Sequence, residues 1–159
     1  MQSCTAGVVN KIREPGRKVS IFFFKNPYIY GHLNPKKLLT MLIKDLHNCK
    51  EFVAGDNTML REILHPGKAD LKIHYSLAHA KVKPGKASLP HRLKTSEVYY
   101  ILRGEGIMHI DNEKAEVGSN QTVYIPPDAV QYIENTGEVD LEFLCIVDPA
   151  WKPEDEEIL

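Results

Sequence analysis

His91 and Glu97 are the two residues whose types and spacing suggest chemistry. A turn containing Pro84 and Gly85 precedes His91, and an apolar and aromatic run over 98–102 follows Glu97 until Arg103 and Gly104 stop it. A hairpin with this pattern delivers an imidazole and a carboxylate to one wall of a sheet. Such a pair either bonds to itself or moves a proton on a bound molecule. Tyr99, Tyr124 and Tyr132 supply hydroxyls and aromatic walls, the mixture found in small-molecule pockets. Arg92, with Lys94 nearby, would attract an anionic ligand, or both are ordinary rim charges.

The spacing resembles the first motif of the cupin superfamily, which runs glycine, five residues, His-x-His, three or four residues, Glu, six residues, glycine. Gly85, His91, Glu97 and Gly104 fall on it, with Leu93 in the place of the second histidine. The second motif runs glycine, five residues, Pro-x-Gly, two residues, His, three residues, Asn. Pro126 and Asn135 match it in type, while Asn120, Asp128 and Gln131 stand at its first glycine, second glycine and histidine.

The resemblance implies an all-β, cupin-type double-stranded β-helix, a jelly-roll barrel, forming one domain. In family members with a full site, three histidines and a glutamate hold a divalent metal. Carried over, that set becomes His91, Leu93, Glu97 and Gln131, a degenerate site that would take Mn, Fe, Ni or Zn with help from His79 or Cys145. Two readings stay open. One is an enzyme acting on a sugar, sugar phosphate or small carboxylic acid, isomerase- or epimerase-like and metal-assisted, with His91 and Glu97 catalytic. The other is a non-catalytic binding or sensory cupin holding a small polar or anionic molecule. The resemblance also implies a homodimer paired through sheet edges.

The elements that must position these residues are short. Apolar runs at 58–64, 71–82, 98–102, 107–110, 122–125, 130–133 and 141–147 are separated by Gly, Pro, Asn and Asp turns, without a long helical period. Closure of the strands into a barrel is the expected solution to their exposed edges. Alternation over 71–82 places Leu71, Ile73, Tyr75, Leu77 and His79 on one face, read as the core face. Cys145 lies in the last apolar run and reads first as a small buried hydrophobe.

The chain has 159 residues, one domain's worth, with 43% hydrophobic and 26% charged residues, ordinary for a globular protein. Net charge is -1, but residues 1–40 carry seven basic residues against one acid, and the remainder is acidic. Three domain segments follow: a basic N-terminal extension at 1–40, a cupin barrel at 41–150 and an acidic tail at 151–159. The four consecutive acids at 154–157 read as a solvated, mobile run. An acidic body argues against nucleic acid as the main ligand. No apolar run reaches the roughly 18 residues that span a bilayer. The odd set Cys4, Cys49 and Cys145, without a C-x-x-C pair, points to a reduced, cytoplasmic setting.

Overall fold

The computed structural model describes residues 41–159; the expectations on the basic extension at 1–40 lie outside the described residues. A 3-10 turn, Leu46–Asn48, is capped by Asp45, whose Oδ1 accepts from the His47 amide at 2.9 Å. Eleven strands follow: β1 (Phe52–Val53), β2 (Met59–Leu64), β3 (Ser76–Val82), β4 (His91–Leu93), β5 (Ser96–Arg103), β6 (Glu105–Ile110), β7 (Glu113–Gly118), β8 (Thr122–Ile125), β9 (Gln131–Asn135), β10 (Leu141–Asp148) and β11 (Glu156–Ile158). No helix among the described residues is long and apolar enough to cross a membrane.

The strands form two antiparallel sheets, one of order β1-β2-β3-β10-β5-β8 and one of order β11-β4-β9-β6-β7. The expected barrel is corrected by this topology: the sheets are not closed on each other. Among the described residues each keeps two edges, β1 and β8 in the larger sheet and β11 and β7 in the smaller. What unites them is a shared core. Strict alternation along β10 turns Leu141, Phe143, Cys145 and Val147 inward, and Ile101, Ile133, Leu141 and Phe143 are fully buried. Met108 from β6 and Ile133 from β9 pack with Ile101 and Phe143 from the opposite sheet in one apolar cluster. Burial of side chains of this size contributes about 1.5–3 kcal/mol each.

Two turns are held by particular residues. Gly104 has φ +84°, and a Cβ there would lie 2.8 Å from the Asp140 carbonyl oxygen; one on Gly106 would overlap the Glu134 carbonyl oxygen. Asn135, at the end of β9, donates Nδ2–H to the carbonyls of Val82 and Val139, both at 2.8 Å, and accepts the Gly137 amide on Oδ1 at 3.0 Å. It ties the smaller sheet to the end of β3 and to the loop entering β10.

The face expected inward on β3 is the outer one. The register pairs Ala78 with Cys145 and Ala80 with Phe143, so Ser76, Ala78, Ala80 and Val82 look into the core. His79 pairs with Leu144 on the outward face. Hydrophobicity did not separate the faces because the larger sheet is apolar outside as well: Leu77, Leu144, Ile146 and Val98 are half-buried there, and Tyr100, Leu102 and Tyr124 are exposed.

The acid run at 154–157, expected to be solvated and mobile, is built into regular structure, with Glu154 and Glu157 exposed and Asp155 and Glu156 half-buried. Pro153–Asp155 makes a 3-10 turn, and β11 pairs with β4, matching Glu156 to Leu93, Glu157 to Arg92 and Ile158 to His91.

Candidate functional site

Each site side chain is placed by strand parity. β4 shows buried, exposed, buried, so His91 and Leu93 point inward and Arg92 outward. On β5, Glu97, Tyr99 and Ile101 point inward, and on β9 Gln131, Ile133 and Asn135 do so. The register pairs His91 with Gln131 in the smaller sheet and Glu97 with Val147 in the larger. The result is a polar end to an otherwise apolar interior, with His91 3% exposed, Glu97 6% and Gln131 0%.

Gln131 Nε2 donates to Glu97 Oε2 at 2.6 Å, bridging the two sheets. The nearby Tyr99 hydroxyl acts on the Glu97 carboxyl in the same sense. Both favour the ionised carboxylate, yet burial outweighs them, with Asp56 and Glu156 adding like-charge repulsion, and the Glu97 pKa is pushed up to about 8. Glu97 is therefore mostly a neutral acid near pH 7. Burial, aided by the neighbouring carboxyl, also pushes the Tyr99 hydroxyl well up; the Cys145 thiol, paired across the ladder with Tyr99, moves the same way for the same reasons.

His91 Nδ1 lies 2.9 Å from the Leu89 carbonyl oxygen. A carbonyl only accepts, so Nδ1 carries the proton and Nε2 is the ring nitrogen left for another partner. Among the described residues the buried Gln131 Oε1 has no hydrogen-bond partner. A buried acceptor left unmet costs about 1–3 kcal/mol unless something else supplies a donor.

The structure brings together His91, Glu97, Gln131, Tyr99 and Cys145, and keeps the remaining candidates apart. His79 lies on the outward face, with Nε2 3.1 Å from Glu142 Oε2. Tyr124 is 61% exposed on that same face. Tyr132 points away from the core and stacks on His109 with ring centroids 4.1 Å apart. Arg92 reaches outward to Glu157 at 2.6 Å, and Lys94 bonds the Glu154 carbonyl at 2.7 Å.

Two inward carboxylates were missed. Asp56 is buried in the turn before β2, its Oδ1 accepting from the Thr58 amide at 3.1 Å and from the Thr58 hydroxyl at 2.8 Å. Glu156 shares the inward face of β11 with Leu93 and His91, and Trp151 donates Nε1–H to its Oε2 at 3.1 Å. Burial holds the Glu156 carboxyl above the usual range, Asp56 adds to this, and His91 with Trp151 opposes it. In sequence, Gly55, Asp56 and Asn57 show only a bend, and the alternation that aims Glu156 inward appears only once β11 is paired.

Residues 78–147 match the Cupin_2 family, described as a cupin domain. An uncharacterized protein of Methanocaldococcus jannaschii is 42% identical over 125 residues, which span 77% of this chain and 99% of the relative. The chain belongs to the cupin family.

A second relative of this cupin, the oxalate-binding protein of Thermotoga maritima, is 30% identical over 106 residues, spanning 66% of this chain and 83% of the relative. Among solved structures, a Lactobacillus farciminis oxalate decarboxylase in complex with formate superposes with a TM-score of 0.63 at 18% identity, covering 73% of this chain and 35% of that one. At that identity the likeness shows the fold alone.

The metal-binding expectation is corrected. No group of three or more His, Cys, Asp or Glu side chains among the described residues is arranged to hold a metal ion. The donor chemistry agrees. Leu93 offers no lone pair, the Glu97 carboxyl is engaged by Gln131, and His79 faces the other way. These residues do not fit the divalent ion expected of the family motif.

Proposed function

We propose that this cupin binds a small carboxylic acid at the polar end of its interior. The observation that carries the reading is the unpartnered, fully buried Oε1 of Gln131 beside a Glu97 carboxyl held neutral. They offer a directional set: the Glu97 acid proton for a ligand oxygen and the Gln131 Oε1 as acceptor for a ligand hydroxyl or acid proton, with the His91 imidazole beside them to meet a carboxylate. A neutral Glu97 does not repel an incoming carboxylate as an ionised one would. The likeness to an oxalate-binding protein supports the same ligand class.

Titration calorimetry with oxalate, glycolate and a hexose phosphate tests this. Oxalate or glycolate is expected to bind with one site per chain and the hexose phosphate to bind far more weakly; heat from the hexose phosphate alone would overturn the proposal.

A second reading, proton transfer on the bound acid, is favoured by the Glu97 pKa of about 8, close to what a general acid needs at neutral pH. Glu97→Gln separates the two: it keeps the shape of the neutral acid and its bond from Gln131, so binding survives while any turnover is lost. Pairing of two chains through the open sheet edges belongs with this proposal, and light scattering that returns the 18.0 kDa of one chain would remove it.

A further inference from the structure

His91, Glu97 and Gln131 are each buried to 6% exposure or less, so a ligand reaches them only if some element moves. The topology singles out β11. It is three residues long, forms the edge of the smaller sheet and, among the described residues, pairs only with β4, the strand that carries His91. Its other polar ties include Lys94 Nζ on the Glu154 carbonyl at 2.7 Å and Trp151 Nε1 on Glu156 at 3.1 Å. Lys94 N–H donates to the Asp155 carbonyl and Leu159 N–H to the Pro90 carbonyl, both at 2.9 Å, and Arg92 pairs with Glu157 among solvent-exposed side chains. Ion pairs of that exposure contribute little. On its outer side β11 borders an open cleft of about 420 Å³ lined by Arg92, Lys94, Asp128 and residues 154–157. The apolar hold on β11 is Ile158, which pairs with His91, reaches Gly55 and is still 39% exposed.

What β11 carries inward is a carboxylate. Glu156 lies on the same face as His91 and Leu93, beside Asp56 and against the indole of Trp151. We infer that β11 is a displaceable strap whose Glu156 carboxylate occupies the place an incoming small carboxylic acid takes beside His91. The inference rests on the acid-binding reading above. Glu156 is then an internal competitor: the ligand exchanges one carboxylate for another at His91, and the strap peels from β4 to let it pass. An edge strand held by a three-residue ladder opens at a cost below that of global unfolding.

The test uses the full chain, the full-length variant Glu156→Gln and a chain lacking residues 153–159, each titrated with oxalate, with hydrogen exchange of β11 followed in parallel. Both variants are expected to bind oxalate about tenfold or more tightly than the unaltered chain. Glu154→Gln removes the same charge from an exposed position and should leave affinity unchanged. The β11 amides should exchange well before those of β9 and β10, and faster still with oxalate present. Equal or weaker affinity in Glu156→Gln, or β11 amides that exchange only with global unfolding, overturns the strap alone. Absence of oxalate binding by every form removes the acid-binding reading and the strap with it. If the shortened chain fails to fold, Glu156→Gln and the exchange data decide.

Discussion

Gln131 and Glu97 meet across the gap between the two sheets, amide nitrogen to carboxyl oxygen at 2.6 Å, and theirs is the polar contact on which the interior is arranged. One residue comes from β9 and the other from β5, so the bond forms only when the two sheets are packed together. Its partner atoms are at most 6% exposed, and the proton state of Glu97 is therefore a property of the folded chain.

Stability is expected to fall with rising pH because of Glu97. Its folded pKa of about 8 lies above the ordinary value of 4.5. Below 4.5 the group is protonated in both states and costs nothing. Between 4.5 and 8 the unfolded chain releases the proton and the folded chain keeps it, so folding loses up to about 1.4 kcal/mol per pH unit from this group. Above 8 the loss levels off. Urea unfolding from pH 4.5 to 9, compared with Glu97→Gln, isolates the contribution; an unchanged slope in the variant would assign it elsewhere.

Gln131→Ala removes the donor to Glu97 and the free acceptor together. A loss of roughly 1–3 kcal/mol in stability and at least tenfold in carboxylic-acid affinity is expected. Gln131→Glu places a second carboxyl against the first, so the pair should titrate in two well-separated steps visible by NMR.

Asn135→Ala should cost roughly 2–4 kcal/mol, since the carbonyls of Val82 and Val139 lose their donor and the Gly137 amide its acceptor in one change. The effect belongs to folding, and ligand affinity measured on the folded fraction should be unaltered.

Gly106→Ala puts a methyl group into the Glu134 carbonyl oxygen and is expected to destabilise by about 3 kcal/mol or more, read as a fall in melting temperature. Gly85→Ala meets no atom within 4 Å and bears only the left-handed backbone cost of about 1–2 kcal/mol. Similar losses in both would contradict the steric account.

Chelation is expected to leave the melting temperature of the purified protein unchanged, because the donor set beside Gln131 lacks the ligands for a divalent ion. A fall of several degrees with EDTA, reversed by one metal, would show that the interior rearranges around an ion.

Much of this was legible in the chain itself, for identifiable reasons. Gly, Pro and Asn turns punctuate the strands, so their approximate limits could be read, and the spacing from Gly85 to Gly104 singled out His91 and Glu97. Whether sheets close depends on pairing between distant edges, which local residue patterns do not encode. The inward face of β3 was misread because Leu77 and Tyr75 are as apolar as the alanines that face Phe143. Glu156 escaped notice because four successive acids look like a solvated run until one strand edge selects alternate members of it.

Trp151 is the chain's single tryptophan, and its ring nitrogen is bonded to Glu156. Emission excited at wavelengths where the seven tyrosines do not absorb therefore comes from one indole beside the strap. Loss of its carboxylate neighbour and a wetter surrounding would change its intensity and colour, giving an unlabelled optical signal for the opening of this end of the protein.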